Sequence, residues 1–183
     1  MKTVLDLGCG AGRHTVYLAQ KGFEVYALDI SPEGVERTAQ WLTREGLQAN
    51  LQQADITALP YPDDLFDSIV SVSVLHHNTI ANIRTAMAEI RRTLRPGGLL
   101  FATECAKGDH QDGQGEQIEN GTYLAPEDAD QPGVPHHFFD EDEVKAQLHG
   151  FVVIELERDA KEFIDDSGRR ALSVHWDILA ERL

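Results

Sequence analysis

The sequence predicts an α/β fold in which helices cover both faces of a doubly wound, mostly parallel sheet. Three observations support this prediction. Short apolar runs typical of buried parallel strands alternate with helical segments from the start of the chain to Cys105. The turn after the first run is rich in glycine, as where such sheets bind ligands. Near the end of the chain, a short connection joins two more apolar runs, which predicts an antiparallel pair at one edge of the sheet.

Strands and helices are predicted throughout the region before residue 106. The strands cover residues 4–7, 23–30, 47–56, 65–75 and 99–105, and the helices cover residues 13–21, 32–45 and 80–94. Ser31 is expected to cap the second helix, with Pro32 in its first position and Gly46 just beyond its end. The fourth strand is almost continuously apolar, which indicates a central place in the sheet. Residues 96–98, Pro-Gly-Gly, are expected to stop the third helix.

A polar segment from residue 106 to 137 interrupts this pattern. It is rich in Gly, Asp and Pro and has weak periodicity, so we expect a loop that serves as a lid or a substrate-binding segment. Asp140 is then expected to cap a helix that ends at Gly150. The last two strands are predicted at residues 151–157 and 171–181.

The charge of the chain restricts its partners. The formal net charge is −15, and residues 104–166 hold 18 of the acidic residues but only 4 basic ones. An acidic surface repels phosphate backbones and anionic lipid, so nucleic acid and membranes are not expected partners.

Location is predicted from what the sequence lacks. No apolar run approaches the roughly 20 residues that span a bilayer, and the first residues contain no apolar core of a secretory signal. Cys9 and Cys105 have no spacing typical of a metal site. We therefore expect two free thiols in a reduced, cytoplasmic protein.

The glycine-rich turn reads Gly8-Cys9-Gly10-Ala11-Gly12 and directly follows Asp6-Leu7. A dinucleotide site has the spacing G-x-G-x-x-G and seats a pyrophosphate, which a carboxylate at Asp6 would repel. The same carboxylate suits a ligand that carries an ammonium group. A nicotinamide-dependent oxidoreductase is therefore disfavoured.

Two more acidic residues follow neighbouring strands. Asp29 ends the second strand, where a carboxylate accepts hydrogen bonds from ribose hydroxyls. Asp55 follows the third strand and can accept a hydrogen bond from an adenine amino group, with Ile56 beside it to pack on the ring. Together with Asp6, these residues describe one ligand with an amino acid head, a ribose and an adenine. That ligand is S-adenosylmethionine.

In these motifs the chain resembles the class I S-adenosylmethionine-dependent methyltransferases of the broad type 11 group. The similar segments are VLDLGCGAGRH, LDISP, ADITALPYPDDLFDSIVSVSVLHH and LRPGGLL, within residues 3–105. The resemblance implies a seven-stranded Rossmann-like sheet with an antiparallel last strand. Members usually carry helices before the first strand, and this chain is expected to lack them because only three residues precede it.

The resemblance also implies a division of labour within one domain, residues 1–183. Residues 1–105 would be the donor-binding half, residues 106–137 the lid or substrate loop, and residues 138–183 the C-terminal helix and edge strands. The implied cofactor-binding residues are Asp6, Gly8, Cys9, Gly10, Gly12, Asp29, Ile30, Asp55, Ile56, Ser71, Val72 and His76.

Histidines are the candidate general bases, because imidazole titrates near neutral pH. The candidates are His76, His77 and His137, although His76 and His77 can equally stack on the donor or help to start the next helix at Asn78. The candidate substrate contacts are Glu104, Tyr123 and His136. The remaining histidines, His14, His110, His149 and His175, are expected to be at the surface or structural. No metal is expected, because adjacent histidines point apart and no HxH or HxxxH spacing is present.

The sequence therefore predicts an enzyme that transfers a methyl group from S-adenosylmethionine to a small-molecule acceptor. The acceptor atom stays open between oxygen, nitrogen, sulfur and a metalloid, the last by resemblance to the tellurite-resistance methyltransferases. An alternative is a non-catalytic sensor or partner subunit that binds the same cofactor. A homodimer is compatible with the sequence.

Overall fold

A computed structural model describes residues 2–127, 129, 131–165 and 168–183. The first half contains β1 Thr3–Leu7, α1 Arg13–Gln20, β2 Glu24–Asp29, α2 Pro32–Glu45, β3 Asn50–Gln53, β4 Phe66–Val72, α3 Ile80–Thr93 and β5 Leu94–Cys105. The second half contains β6 Glu116–Glu119, β7 Thr122–Leu124, β8 Pro135–His137, α4 Glu141–Gln147, β9 Phe151–Ile164 and β10 Arg170–Arg182.

The principal sheet has seven strands in the order β3-β2-β1-β4-β5-β10-β9. The first five strands in this order run parallel to one another, whereas β10 is antiparallel to both β5 and β9. The apolar β4 lies at the centre, and the two late strands pair at one edge. The predicted fold class is confirmed.

The helix ends follow local capping chemistry. The Ser31 hydroxyl accepts a hydrogen bond from the Gly34 amide at 3.1 Å, and Gly46 closes α2 with a φ of 67°. Asp140 and Glu143 form a reciprocal capping box at the start of α4. The predicted start of α3 at Ile80 is confirmed, but the side chain of Thr79 caps that helix, so the expected histidine cap at Asn78 is wrong.

Several strand boundaries differ from the prediction. β3 is shorter than predicted, at Asn50–Gln53, and β9 is longer, at Phe151–Ile164. β4 stops at Val72 because Ser73 has a φ of 56°, outside the extended region, and donates its amide to the Thr103 carbonyl at 3.3 Å. β5 begins directly after α3, so residues 96–98 lie within a strand instead of separating helix from strand. The register with β4 shifts there, which accommodates the irregular Pro-Gly-Gly segment.

The prediction of a loop over residues 106–137 is wrong in part. β6, β7 and β8 form a separate three-stranded antiparallel sheet within it. The turn between β6 and β7 is Asn120-Gly121, and Gly121 has a φ of 73°. Asn-Gly is the strongest short hairpin signal, so this turn was recognisable in the sequence.

The main core lies between one face of the sheet and helices α3 and α4. The largest fully buried apolar side chains include Leu5, Leu7, Phe66, Ile69, Ile90 and Leu100. This core fixes the carboxyl ends of the parallel strands in one row, where the candidate site lies. Within the described residues, no helix is both long and apolar enough to cross a membrane.

Candidate functional site

The glycine turn after β1 is held tightly against α2. Gly8, Gly10 and Gly12 all have positive φ, at 76°, 51° and 92°. The Thr38 hydroxyl donates to the Gly10 carbonyl at 2.9 Å. A Cβ on Gly34 would lie 3.1 Å from that same carbonyl oxygen, so the glycine allows α2 to approach.

Most of the amides of this turn already have partners. Gly8 and Cys9 both donate to the Leu28 carbonyl, at 2.8 and 2.9 Å, and Gly12 donates to the Cys9 carbonyl at 2.9 Å. The Gly10 amide donates to Asp29 Oδ2 at 2.7 Å. A pyrophosphate site needs free amide donors. This turn offers few of them, which fits a ligand that brings its own hydrogen-bond donors.

Gly10 leaves open space where a side chain would be. A Cβ built there has no heavy atom within 4 Å, whereas one on Gly8 would clash with Val74 Cγ2. A ligand can therefore reach the backbone at Gly10 without a side chain in the way.

Asp6 lies behind the turn, not on its surface. Its carboxylate is 2% exposed and accepts a hydrogen bond from the Thr15 hydroxyl at 2.5 Å. Burial raises the pKa of Asp6, an effect that this hydrogen bond partly offsets. A cation near the turn would favour the ionised form of this carboxyl group.

Asp29 is fixed by both of its oxygens. Oδ2 accepts from the Gly10 amide, and Oδ1 accepts from the Ser31 amide at 2.8 Å. Each carboxylate oxygen can accept a further hydrogen bond, so both remain available to hydroxyl donors. The side chain is half-buried at the carboxyl end of β2.

The next strand end is more open. Asp55 is exposed, and its Oδ1 accepts from both the amide and the hydroxyl of Thr57, at 2.8 and 2.7 Å. Ile56 is 8% exposed and packs in the core, whereas Ile30 is 67% exposed. The expectation that Ile56 presents an open apolar face is therefore corrected, and Ile30 provides that surface.

The end of β4 carries a buried hydroxyl without a partner. Ser71 is fully buried, and its Oγ makes no hydrogen bond within the described part of the chain. Val72 is partly buried beside it. An orphaned polar atom at this row of strand ends is the kind of feature that a bound ligand or water satisfies.

A cavity of about 380 Å³ opens beyond the carboxyl ends of β4 and β5, under the 106–137 segment. Five of the residues on its wall are histidines. The wall consists of His76, His77, Cys105, His110, Gln111, Gln114, Tyr123, Ala125, Pro126, Ala129, Gln131, His136, Phe138 and His175. The predicted contacts Tyr123 and His136 thus share one cavity with His76 and His77.

Three imidazole rings form the centre of this wall. The His77 ring lies 4.3 Å from that of His76 and 4.4 Å from that of His136, between centroids. Burial lowers the pKa of His77 to about 4 and holds the pKa of His76 well below its usual range. Both rings are therefore neutral at pH 7.

Glu104 lies behind His76 and does not line the cavity. Its carboxyl group is fully buried, with Oε2 3.6 Å from His76 Nδ1, a nitrogen that accepts the Cys105 amide at 3.3 Å. Burial raises the pKa of Glu104 to about 8. The expected direct contact between Glu104 and a substrate is thus corrected to a contact with His76.

His137 also lies elsewhere than expected. It is 1% exposed, and its Nδ1 forms a hydrogen bond with the Thr122 hydroxyl at 2.8 Å. It borders a different, smaller cavity between α3 and α4, together with Phe139. The prediction of His137 as a general base is corrected, because its position is that of a structural side chain linking β7 and β8.

His110 and His175 are the cavity residues that sequence reasoning assigned to the surface or to structure. His175 alternates with the buried Trp176 on β10, so alternation placed it on the opposite face but did not show what covers that face. Within the described residues, no three His, Cys, Asp or Glu side chains are arranged to hold a metal ion. The absence of a metal from the functional protein stays a prediction.

Comparison with known proteins identifies the family. The model of the methyltransferase domain matches residues 4–98. An uncharacterized methyltransferase of Bacillus subtilis is 32% identical over 103 residues, which are 56% of this chain and 43% of that protein. The ubiquinone biosynthesis O-methyltransferase of Rickettsia prowazekii is 33% identical over 98 residues, 54% of this chain and 38% of that protein. The chain thus spans less than half the length of these curated relatives.

Solved structures agree on the fold. An S-adenosylmethionine-dependent methyltransferase from Methanosarcina mazei superposes with a TM-score of 0.81 at 24% identity, over 100% of this chain and 92% of that one. The 1,6-didemethyltoxoflavin-N1-methyltransferase of Burkholderia thailandensis superposes with a TM-score of 0.74 at 23% identity, over 99% of this chain and 71% of that one. With its family match and its glycine turn after β1, the chain belongs to the class I S-adenosylmethionine-dependent methyltransferases.

Proposed function

We propose that this chain transfers a methyl group from S-adenosylmethionine to a small-molecule acceptor bound in the histidine-lined cavity. The observation that supports this most directly is the position of the cavity. It borders the ends of β4 and β5, next in the sheet to the glycine turn after β1. A donor at the turn and an acceptor in the cavity would be neighbours along one row of strand ends.

The donor-binding residues fit the chemistry of S-adenosylmethionine. Asp29 would accept hydrogen bonds from the ribose hydroxyls through its two fixed oxygens. Asp55 and Ile30 would bind the adenine, by hydrogen bonding and by apolar contact. The turn has few free amides, and the buried Asp6 carboxyl lies behind it, where a cation favours the ionised form of that group. The turn would therefore take the ammonium group.

When bound, S-adenosylmethionine supplies a methyl group on a positively charged sulfur, so the protein needs chiefly to position the acceptor and to exclude water. The 106–137 segment covers the cavity and would do both. His77 is uncharged at pH 7, so one nitrogen of its ring is available to accept a hydrogen bond from the acceptor. His76 already uses its acceptor nitrogen, Nδ1, for the Cys105 amide.

The nature of the acceptor is supported by a relative. The Burkholderia thailandensis methyltransferase is described with bound 1,6-didemethyltoxoflavin and S-adenosylhomocysteine, a small molecule and the spent donor. The acidic segment 104–166 argues against nucleic acid here as well. A cytoplasmic location and a homodimer stay predictions.

The first test is calorimetry of the purified chain with S-adenosylmethionine, with NADH as the control. Micromolar binding of the first alone is expected, because Asp6 and the occupied amides disfavour a pyrophosphate. Binding of NADH instead would contradict the proposal.

Turnover is then tested by release of S-adenosylhomocysteine in the presence of a panel of small acceptors. Acceptor-dependent release is expected. Tight donor binding with no release from any acceptor would favour the alternative, a non-catalytic sensor or partner subunit.

A further inference from the structure

The cavity wall contains no Lys, Arg, Asp or Glu side chain among the described residues. Its polar groups are imidazoles, the amides of Gln111, Gln114 and Gln131, the Tyr123 hydroxyl and the Cys105 thiol. Burial raises the pKa of the Cys105 thiol, so the thiol is neutral at pH 7. A charged acceptor buried in such a wall would lose its hydration without gaining an ionic partner.

Two buried carboxyl groups that adjoin residues of the wall are already engaged or neutral. Asp109 is 5% exposed, and its oxygens accept from the amides of Val174 and Gln111 at 2.8 and 2.9 Å. One of these oxygens also lies 3.0 Å from His110 Nδ1. Glu104 is buried behind His76, and its raised pKa of about 8 keeps it protonated at pH 7. Neither is a free counter-charge for a cationic acceptor.

Anionic acceptors are disfavoured by the surroundings. Lys and Arg are absent from the described wall, and residues 104–166, which supply most of it, hold 18 acidic and 4 basic residues. The segment that supplies most of the wall therefore has an excess of acidic residues, which disfavours an anionic ligand.

Flat rings dominate the wall. The Tyr123 and Phe138 rings are 6.2 Å apart, and the three imidazoles of His76, His77 and His136 stand at tilted or perpendicular angles to each other. Aromatic faces and edges pack best against another ring. The volume of about 380 Å³ accommodates a fused two-ring compound.

Among the buried polar side-chain atoms of the described wall residues, one lacks a partner. His77 Nδ1 is buried and makes no hydrogen bond within the described part of the chain. A buried nitrogen in this state needs a ligand or a water to satisfy it. The low pKa of His77, about 4, keeps the ring unprotonated at neutral pH, so in the tautomer with the hydrogen on Nε2 this atom is an acceptor.

We propose that the cavity selects an uncharged aromatic acceptor with an O–H or N–H group, and that His77 Nδ1 accepts the hydrogen of that group. This inference rests on the proposed function, because it takes the cavity to be the acceptor site. It narrows the acceptor from any small molecule to a neutral phenol-like or heteroaromatic compound, and it makes His77 the residue that recognises the reacting group.

The selectivity is tested with three ligands of one shape. Binding of 2-naphthol, 2-naphthoate and 2-naphthylmethylamine to the whole chain is measured by calorimetry at pH 7, where they are neutral, anionic and cationic. The neutral compound should bind at least tenfold more tightly than either charged one. Equal or tighter binding of a charged compound, or no binding of any of the three, overturns the proposal.

The role of His77 is tested by removing either half of the hydrogen bond. Replacing 2-naphthol with 2-methoxynaphthalene, which lacks the O–H, should weaken binding to the native chain about five- to tenfold. In His77→Phe, which keeps a ring, the two ligands should bind equally. His149→Phe, at an exposed histidine outside the cavity wall, should retain the native difference. An O–H preference that survives in His77→Phe overturns the assignment.

These measurements need no methyl donor, so they separate this inference from the proposed function. If the binding series fails but acceptor-dependent release of S-adenosylhomocysteine is observed, the preference for a neutral aromatic acceptor is wrong and the methyltransferase activity stands. If the three ligands bind as expected but no acceptor gives release of S-adenosylhomocysteine, the cavity binds aromatic rings and the proposed methyl transfer is wrong.

Discussion

At the scale of the residue, Asp29 links the two sides of the donor site. One oxygen holds the amide of Gly10 in the glycine turn, and the other holds the amide of Ser31 at the start of α2. The same carboxylate would bind the ribose. Its substitution is therefore expected to affect both the shape of the turn and the contact with the donor.

Asp29→Ala should weaken binding of S-adenosylmethionine by more than tenfold, because a charge-assisted hydrogen bond contributes about 1.5–3 kcal/mol. Calorimetry measures the change. Glu36→Ala, which removes an equal charge from the exposed face of α2, is the control and should leave the affinity unchanged. Native affinity in Asp29→Ala would remove the ribose contact from the proposal.

Glu104→Gln should stabilise the protein, and more so as the pH rises. The pKa of Glu104 is about 8 in the folded state and 4.5 for a free side chain, so the unfolded state binds fewer protons between these values. The free energy of unfolding of the native chain therefore falls as pH rises from about 4.5 to 8. A neutral amide at position 104 does not titrate, so it removes this pH-dependent loss of stability. Thermal melts at pH 5 and pH 8 measure it.

Glu89→Gln is the matched control for this pH effect. Glu89 pairs with Arg92 at 2.7 Å, which lowers its pKa, so its carboxylate is ionised at both pH values. The substitution should destabilise the protein equally at pH 5 and pH 8. A Glu104→Gln variant that shows no greater gain at pH 8 would mean that the buried carboxyl is not held neutral.

Residues near the first strands were the most predictable. Asp6, Asp29 and the glycines lie within a few positions of strands that the apolar pattern predicts. Their position at the carboxyl ends of these strands could therefore be predicted from local sequence. His137 was not predictable in this way, because it stands beside His136 and only the pairing of β8 decides which of the two faces the cavity.

At the scale of the element, the glycine turn provides an internal comparison. Gly10 and Gly22 have positive φ, at 51° and 83°, and neither has an atom within 4 Å of a built Cβ. Substitution by alanine should therefore strain each backbone similarly, without a steric clash. Only Gly10 lies in the turn that would meet the donor.

Gly10→Ala and Gly22→Ala should each lower the free energy of unfolding by about 1–2 kcal/mol, as expected for a left-handed residue that gains a Cβ. Only Gly10→Ala should also weaken donor binding, at least fivefold, because its methyl group enters the open space at the turn. Urea unfolding and calorimetry measure the two effects. Equal donor affinity in both variants would contradict a donor at this turn.

The hairpin of β6 and β7 is expected to serve the cavity and not the donor site. Gly121 turns the hairpin with a φ of 73°, and a Cβ there would lie 3.3 Å from His137 Cε1. Gly121→Val should therefore disorder the turn, abolish binding of 2-naphthol and leave binding of S-adenosylmethionine within twofold of the native value. Parallel titrations of the two ligands decide this, and equal losses for both would contradict separate sites.

Elements were predictable where one signal sufficed. Ser31 and Asp140 were correctly placed as helix caps from their residue type and the apolar run that follows. The short strands β6 to β8 were missed because three or four residues are too few to show alternation, and Asn120-Gly121 was the only strong local signal.

At the scale of the whole molecule, the sheet is protected unevenly. β4 has a parallel neighbour on each side and lies against the core, whereas β9 pairs with β10 alone among the described strands. Ile154 and Ile164 on β9 are 54% and 63% exposed. The amides of β4 should exchange with solvent at least tenfold more slowly than those of β9.

Hydrogen exchange followed by mass spectrometry measures this difference on peptides that cover residues 66–72 and 151–164. Equal protection of both peptides would indicate that another surface covers β9.

The fold class could be predicted from the alternation of strands and helices along the chain. The cavity could not, because its wall joins residues from 76 to 175 that meet only after the sheet has formed.

The order of the last two strands has a consequence for synthesis. β9 is made before β10, yet in the finished sheet β10 lies between β9 and β5. While the chain emerges from a ribosome, β9 lacks its native partner strand until residues 170–182 have followed it. Until then β5 keeps an unpaired edge, with Phe101 exposed along it. This side of the sheet must therefore close last, and a nascent chain that pauses before residue 170 is the form most in need of a chaperone.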